Sequence, residues 1–110
     1  MIILDTNALI YSVKQKIDIR KFLDEDIVVP TSVIKELDSL SHCYEHARVA
    51  RILASHFKTL EVENGGDAGI IEAAKRYGGR VLTNDRKLIL ILKRENVETI
   101  SVSKAMVRHA

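Results

Sequence analysis

This sequence has little of what marks secreted, disulfide-bonded or membrane-embedded proteins. Its single cysteine, Cys43, among 110 residues excludes an internal disulfide and a multi-cysteine zinc site. No apolar run is long enough to span a bilayer, and residues 1–5 do not form the basic start of a signal peptide. We therefore expect a cytoplasmic protein with no membrane association.

Linker-forming sequence is also scarce. With one proline, five glycines and no repeat or low-complexity tract, the chain is expected to form one domain over residues 1–110. The charged residues are nearly balanced, 17 basic against 15 acidic, and this total argues neither for nor against a nucleic-acid partner. The two signs are unevenly placed: residues 1–66 carry 8 basic and 10 acidic side chains, and residues 67–110 carry 9 and 5.

Short apolar segments alternate with segments of helical periodicity. The predicted strands are 2–4, 27–30, 59–62, 80–83 and 97–102. The predicted helices are 8–14, 18–24, 33–40 with Thr31 or Ser32 as its cap, 44–57, 67–77, and a last one capped at residues 84–85 that runs to 92. This alternation predicts an α/β fold of three layers, with a central, mostly parallel sheet of about five strands and helices on both faces.

Four acidic residues follow four of the predicted strands. Asp5 ends the first strand, Glu36 lies in the helix after the second, Asp67 opens the helix after the third, and Asp85 follows the fourth. Ligand sites in open parallel sheets form outside the carboxyl ends of the strands. The four carboxylates are therefore expected to converge at one edge of the sheet.

Carboxylates brought this close need a counter-charge. Two of them about 4 Å apart repel by roughly 4 kcal/mol at an effective dielectric constant near 20, which favours a bound cation or a raised pKa. A ligand set of oxygens alone favours Mg²⁺ or Mn²⁺ over zinc. Such a site suits the hydrolysis of a phosphodiester by an activated water.

Each acid taken singly has a simpler explanation. Asp67 and Asp85 occupy first turns of helices, where a carboxylate gains about 0.3 to 1 kcal/mol from the helix dipole without any metal. Glu36 by itself is typical of a solvated helix surface. Asp5 ends a buried strand and has little structural reason to be there. It is the joint pattern that indicates a functional site.

Four segments of the chain resemble the motifs of the PIN domain family of metal-dependent nucleases. They are residues 3–7 (ILDTN), 29–37 (VPTSVIKEL), 67–74 (DAGIIEAA) and 82–85 (LTND). The resemblance implies that Asp5, Glu36, Asp67 and Asp85 are the catalytic and metal-binding residues, holding one or two Mg²⁺ or Mn²⁺ ions. It also implies that the side chains beside them orient the site: Asn7, Thr83 and Asn84.

The resemblance implies an endoribonuclease, and two subgroups compete. Residues 46–54 are similar to the basic, alanine-rich helix of the archaeal and eukaryotic PIN nucleases that process ribosomal RNA, which favours that role and a ribosome-assembly partner. The alternative is a VapC-type toxin paired with an antitoxin. A non-catalytic scaffold that binds RNA or protein is a third interpretation. The family resemblance and the stripe Ala47, Ala50 and Ala54 together favour a homodimer.

Three further groups of residues were weighed. Arg86 and Lys87 directly follow Asp85 and are expected to hold RNA phosphates beside the metal. His42 and His46 flank Cys43 at helical spacing but have no third ligand nearby, so we expect no metal there. The tyrosines fit apolar helical stripes and are expected to serve the core or an interface rather than to stack on bases: Tyr11, Tyr44 and Tyr77.

Overall fold

Five strands and five helices alternate along residues 1–102, which are the residues that the computed structural model describes. The elements are β1 (Ile2–Leu4), α1 (Thr6–Lys14), β2 (Ile27–Pro30), α2 (Thr31–Leu40), α3 (Glu45–Ala54), β3 (Lys58–Leu60), α4 (Gly66–Tyr77), β4 (Arg80–Leu82), α5 (Arg86–Arg94) and β5 (Thr99–Ile100). Residues 103–110 of the predicted domain lie outside the described part. The predicted α/β class is confirmed.

The strands form one sheet in the order β3-β2-β1-β4-β5, and every pairing is parallel. From β1 the chain adds β2 and β3 on one side, then crosses back to add β4 and β5 on the other. Right-handed crossovers in opposite directions place helices on both faces of the sheet. The order reverses between β1 and β4, and the crevice outside the carboxyl ends of these two strands is where such folds bind ligands.

The central strand explains why this arrangement is stable. Ile2, Ile3 and Leu4 are all fully buried, as expected for a parallel strand covered on both faces. Ile3 pairs with Val28 of β2 on one side and with Val81 of β4 on the other. Because β1 is buried on all sides, the position of Asp5 directly after it is set by the core.

Several element boundaries differ from the predicted ones. The helix predicted over residues 18–24 is only a 3-10 turn, Ile19–Lys21, started by Asp18, whose carboxylate accepts the Arg20 N–H at 3.1 Å. Ile19 is buried there, and so short a segment gains too little from helical hydrogen bonds to propagate further. The predicted helix 44–57 is shorter as α3, and the predicted strands 59–62 and 97–102 are β3 and β5.

The start of α2 is built differently from the prediction. Pro30 occupies the N-cap position, and neither Thr31 nor Ser32 caps the helix with its side chain. Instead the Thr31 hydroxyl donates to the Val62 carbonyl oxygen at 3.1 Å and accepts the Val62 N–H at 3.0 Å. This pair of hydrogen bonds fastens the beginning of α2 to the segment that leads into α4.

Candidate active site

A small cavity lies at the carboxyl ends of the strands, beside the end of β1 and on the side of β2 and β3. Its volume is about 30 Å³, enough for about two water molecules. The side chains and backbone that line it come from the starts of α1, α2 and α4: Asp5, Thr6, Asn7, Ser32, Val33, Glu36, Gly66, Asp67 and Ile70. Three of the four predicted acids, together with Asn7, therefore line one cavity.

Asp5 is the buried centre of this group, with 5% of its surface exposed. One carboxylate oxygen accepts the Ala8 N–H at 2.7 Å and caps α1, and the other accepts the hydroxyl of Thr83. Asp5 thus has a structural role as a helix cap, which the sequence analysis overlooked. Burial raises the pKa of the Asp5 carboxyl from 3.8 to about 6, against the lowering effect of these two hydrogen bonds, and the neighbouring carboxylates Asp85 and Asp67 raise it further.

Thr83 connects Asp5 to Asp85. Its hydroxyl, which is fully buried, donates to Asp5 and accepts the Asp85 N–H at 3.0 Å. Asp85 in turn caps α5 by accepting the N–H groups of Lys87 and Leu88 at 3.0 and 3.3 Å. Asp85 does not line the cavity, but it lies close enough to act on the pKa of Asp5.

Glu36 and Asp67 lie on two helices that pack against each other, α2 and α4. Both side chains are exposed and line the cavity. Asp67 belongs to the first turn of α4, where the positive end of the helix dipole favours a carboxylate. Their accessibility suits carboxylates that meet a ligand entering from solvent.

Asn7 and Asn84 lie in different surroundings. Asn7 is exposed and lines the cavity beside Asp5. The side-chain oxygen of Asn84 accepts the Val102 N–H at 3.0 Å, so this residue joins the end of β4 to the segment after β5. Arg86 and Lys87 are exposed in the first turn of α5.

The sequence alone did not single out three residues that shape the cavity and the loop beside it: Gly69, Ser32 and Glu72. A Cβ on Gly69 would lie 2.5 Å from the Ser32 Oγ and 2.4 Å from the Asn64 carbonyl oxygen, so α4 approaches α2 as closely as glycine permits. Glu72 accepts hydrogen bonds from the backbone N–H groups of Glu63 and Asn64, both at 2.9 Å. These contacts hold the loop before Asp67, and they lower the pKa of Glu72.

Some of these residues left a signal in the sequence. A glycine inside a helix costs about 1 kcal/mol relative to alanine and often marks a close approach of another segment. The close contact at Gly69 could therefore have been predicted from the sequence. Ser32 lies one turn before Glu36 on the same helical face. The bond from Glu72 to the preceding loop left no local pattern that could have been read.

The donor set fits a hydrated divalent cation. Most of the lining residues carry side-chain oxygens, and burial raises the pKa of the Asp5 carboxyl, so a cation beside it would favour the ionised form. Within residues 1–102, no three His, Cys, Asp or Glu side chains come close enough together to bind one ion directly. Mg²⁺ characteristically keeps several waters and takes only one or two carboxylates, so water between ion and protein is compatible with this spacing.

The remaining predicted groups lie elsewhere. His46 packs edge-on against the ring of Tyr44, with centroids 5.6 Å apart, and the Lys14 ammonium lies 5.2 Å from the centre of that ring. The Tyr77 hydroxyl donates to the Glu61 carbonyl oxygen at 2.8 Å. Ala47, Ala50 and Ala54 are buried within the chain, where α3 packs on α1 and α2. That stripe therefore offers no surface for a second copy.

The parallel order β3-β2-β1-β4-β5 and the acidic cavity beside the end of β1 define an α/β protein with a site suited to cations. A profile described as "PIN like domain" matches residues 2–104, and the chain belongs to this family. It is 36% identical over 95 residues to a protein named Ribonuclease VapC9 from Archaeoglobus fulgidus, an alignment that covers 78% of this chain and 70% of the relative.

None of the helices within residues 1–102 has the length and apolar character needed to span a membrane.

Two solved structures share the fold. A PilT N-terminus domain protein from Sulfolobus solfataricus matches with a TM-score of 0.70 at 10% identity, covering 98% of this chain and 92% of that one. A domain of a functionally unknown protein from Methanocaldococcus jannaschii matches with a TM-score of 0.68 at 19% identity, covering 92% and 89%. The fold is therefore kept at sequence identities that say nothing about a shared substrate.

Proposed function

We propose that the protein is a divalent-metal-dependent endoribonuclease of the VapC type. The observation that carries this proposal is the cavity at the carboxyl end of β1, which Asp5, Glu36 and Asp67 line, with Asp85 close to Asp5. The relative that is 36% identical is named a ribonuclease, which supports RNA as the substrate. The cofactor is Mg²⁺ or Mn²⁺, because the available ligands are oxygens.

Each acidic residue has a role in this proposal. Asp5, Glu36 and Asp67 would hold the cation and its waters, and Asp85 adds negative charge next to Asp5. A divalent cation, when bound, supplies the positive charge that activates a water for attack and stabilises charge developing on the phosphodiester. Thr83 keeps the Asp5 carboxylate in one orientation by donating its hydroxyl proton to it.

The flanking polar residues complete the proposed site. Asn7 faces the cavity and orients a water or a phosphate oxygen there. Asn84 acts indirectly, because its bond to Val102 holds the β4–α5 turn that carries Asp85.

The exposed basic residues of α5, Arg86 and Lys87, are proposed to bind RNA phosphates. Each phosphate contact to a single strand contributes about 0.7 to the slope of log affinity against log salt. Replacing both residues with alanine should therefore weaken RNA binding and reduce that slope by about 1.4. Fluorescence anisotropy with a labelled RNA between 50 and 200 mM salt measures this, and an unchanged slope would assign the phosphate contacts to other residues.

The VapC-type toxin is favoured over ribosomal-RNA processing. The identity to the VapC9 ribonuclease extends over most of the chain, whereas the processing interpretation depended on the alanine-rich segment 46–54. Those alanines are buried against α1 and α2, so core packing is enough to explain them. An antitoxin is the proposed partner, and a homodimer stays a prediction that needs another surface than this stripe.

An RNA cleavage assay tests the activity directly. Wild-type protein should cleave a single-stranded fluorogenic RNA with Mn²⁺ and stop with EDTA, and Asp5→Asn should lose about 100-fold or more of the rate because a direct ligand is removed. Asp38→Asn is the matched control, since Asp38 is an exposed acid paired with Arg51 at 2.7 Å on the surface. A wild-type protein that binds RNA without cleaving it would instead support the non-catalytic scaffold.

A further inference from the structure

Ser32 lines the cavity, but the proposed metal-binding role of the acidic residues does not involve its hydroxyl. It lies in the first turn of α2, four residues before Glu36, and only 7% of it is exposed. Its hydroxyl oxygen is the one buried side-chain polar atom in the described residues 1–102 without a hydrogen-bond partner. A buried hydroxyl in this state is costly, so it calls for a partner that these residues do not supply.

Other serines in the chain show how a helical hydroxyl is ordinarily satisfied. Ser12, Ser41 and Ser55 each donate to the carbonyl oxygen three residues earlier, at 2.8, 2.8 and 2.6 Å. Ser12 is more deeply buried than Ser32 and still makes this bond. Ser32 is the second residue of α2, so the residue three before it lies in β2 and offers no helical carbonyl oxygen, and Ser32 lines the cavity with its hydroxyl unpaired.

Ser32 lies beside a space large enough for about two water molecules. Gly69 removes the side chain that would otherwise fall 2.5 Å from the Ser32 Oγ. Beside it is the cavity of about 30 Å³, which carries carboxylates of Asp5, Glu36 and Asp67 on its wall. A cavity of this size holds water when two to four polar groups surround it, and a serine hydroxyl can both donate and accept.

From this placement we propose that the Ser32 hydroxyl hydrogen-bonds an ordered water in the acidic cavity and thereby strengthens the binding of a hydrated divalent cation. Ser32 is a positioning residue, because it acts on the cation through water. The inference rests on the proposed metal-dependent function. It explains why a hydroxyl is kept where alanine would fill nearly the same volume without leaving a polar atom unpaired.

The test is Ser32→Ala, measured in two ways that do not depend on cleavage. In EDTA the variant should melt no lower than the wild type, because the Ser32 hydroxyl makes no hydrogen bond to the protein that alanine would lose. In isothermal titration calorimetry with MnCl₂ it should bind Mn²⁺ about tenfold more weakly, as is typical when a group that orients a ligand shell is lost. Unchanged or higher stability without metal, together with weaker Mn²⁺ binding, is a pair of effects that a purely structural serine would not produce.

Ser12→Ala is the matched control. It removes a buried serine hydroxyl that already has its partner, so it should leave the melting temperature equal or lower and Mn²⁺ affinity unchanged. A Ser32→Ala protein that is less stable without metal, or that binds Mn²⁺ as tightly as the wild type, would overturn the inference. A wild-type protein with no saturable Mn²⁺ binding would overturn the proposed metal-dependent function itself, whatever the variant does.

Discussion

Replacing Asp5 with asparagine should make the metal-free protein more stable at neutral and alkaline pH. The pKa of the Asp5 carboxyl is raised from 3.8 to about 6, chiefly by burial. An acid with a raised pKa in the folded state contributes fully to stability below its unfolded pKa, and this contribution is lost as the pH rises through the folded value. The ionised Asp5 therefore lowers the free energy of unfolding above about pH 6.

The size of this destabilisation follows from the difference between the folded and unfolded pKa of Asp5. A difference of about two pKa units corresponds to about 3 kcal/mol, which is fully expressed at pH 8 and about half expressed at pH 5. Asparagine removes the charge but keeps an oxygen for the Ala8 N–H, and its amide can donate to the Thr83 hydroxyl. Asp5→Asn should therefore gain up to about 3 kcal/mol of unfolding free energy at pH 8.

Urea unfolding in EDTA at pH 5 and pH 8 measures the effect as the difference between the variant and the wild type. This difference cancels groups that titrate equally in both proteins. Asp38→Asn serves as the control and should change stability by less than about 1 kcal/mol, because it loses only an exposed ion pair. An Asp5→Asn protein that is less stable than the wild type at pH 8 would refute the reasoning, since the hydrogen bonds of the carboxylate would then outweigh its burial.

Two further changes test how the residues around the cavity hold its shape. Gly69→Ala places a methyl group 2.4 Å from the Asn64 carbonyl oxygen, so it should push α4 away from α2 and destabilise the protein by about 1 to 3 kcal/mol in urea unfolding. It should also weaken Mn²⁺ binding, and an unchanged Mn²⁺ affinity would mean that the spacing of these helices does not matter for the site. Thr83→Val removes the hydrogen bond that lowers the pKa of Asp5, so the pH at which Mn²⁺ binding is half-maximal should rise above its wild-type value in calorimetry, and an equal or lower midpoint would contradict this.

Much of the fold could be read from local pattern, because a parallel strand buried on both faces appears as an apolar run. Residues 2–4 and 27–30 were predicted with the bounds that the structure has. Boundaries failed where a tertiary contact outweighed local preference. Thr31 was a reasonable cap by composition, but its hydroxyl bonds to Val62, which is remote in sequence.

The site divides in the same way. The sequence indicated the four acids through their positions after strands, and the family resemblance added Asn7, Thr83 and Asn84. It did not reveal that Asp5 is also a helix cap, since this requires the Ala8 N–H to point back at the carboxylate. Nor did it reveal Ser32 or Glu72, whose importance depends on what surrounds them in space.

By itself, the sequence predicted an α/β protein from the alternation of short apolar segments with segments of helical periodicity, and a candidate cation site from the acids that follow successive strands. These features are local, and each depends on residues near one another in the chain. Only the tertiary structure decided which acids share a cavity, why Asp85 lies beside it rather than in it, and that Ser32 lacks a partner. Burial and electrostatic coupling depend on the packing of α1, α2 and α4 around the end of β1, and residues distant in sequence set that packing.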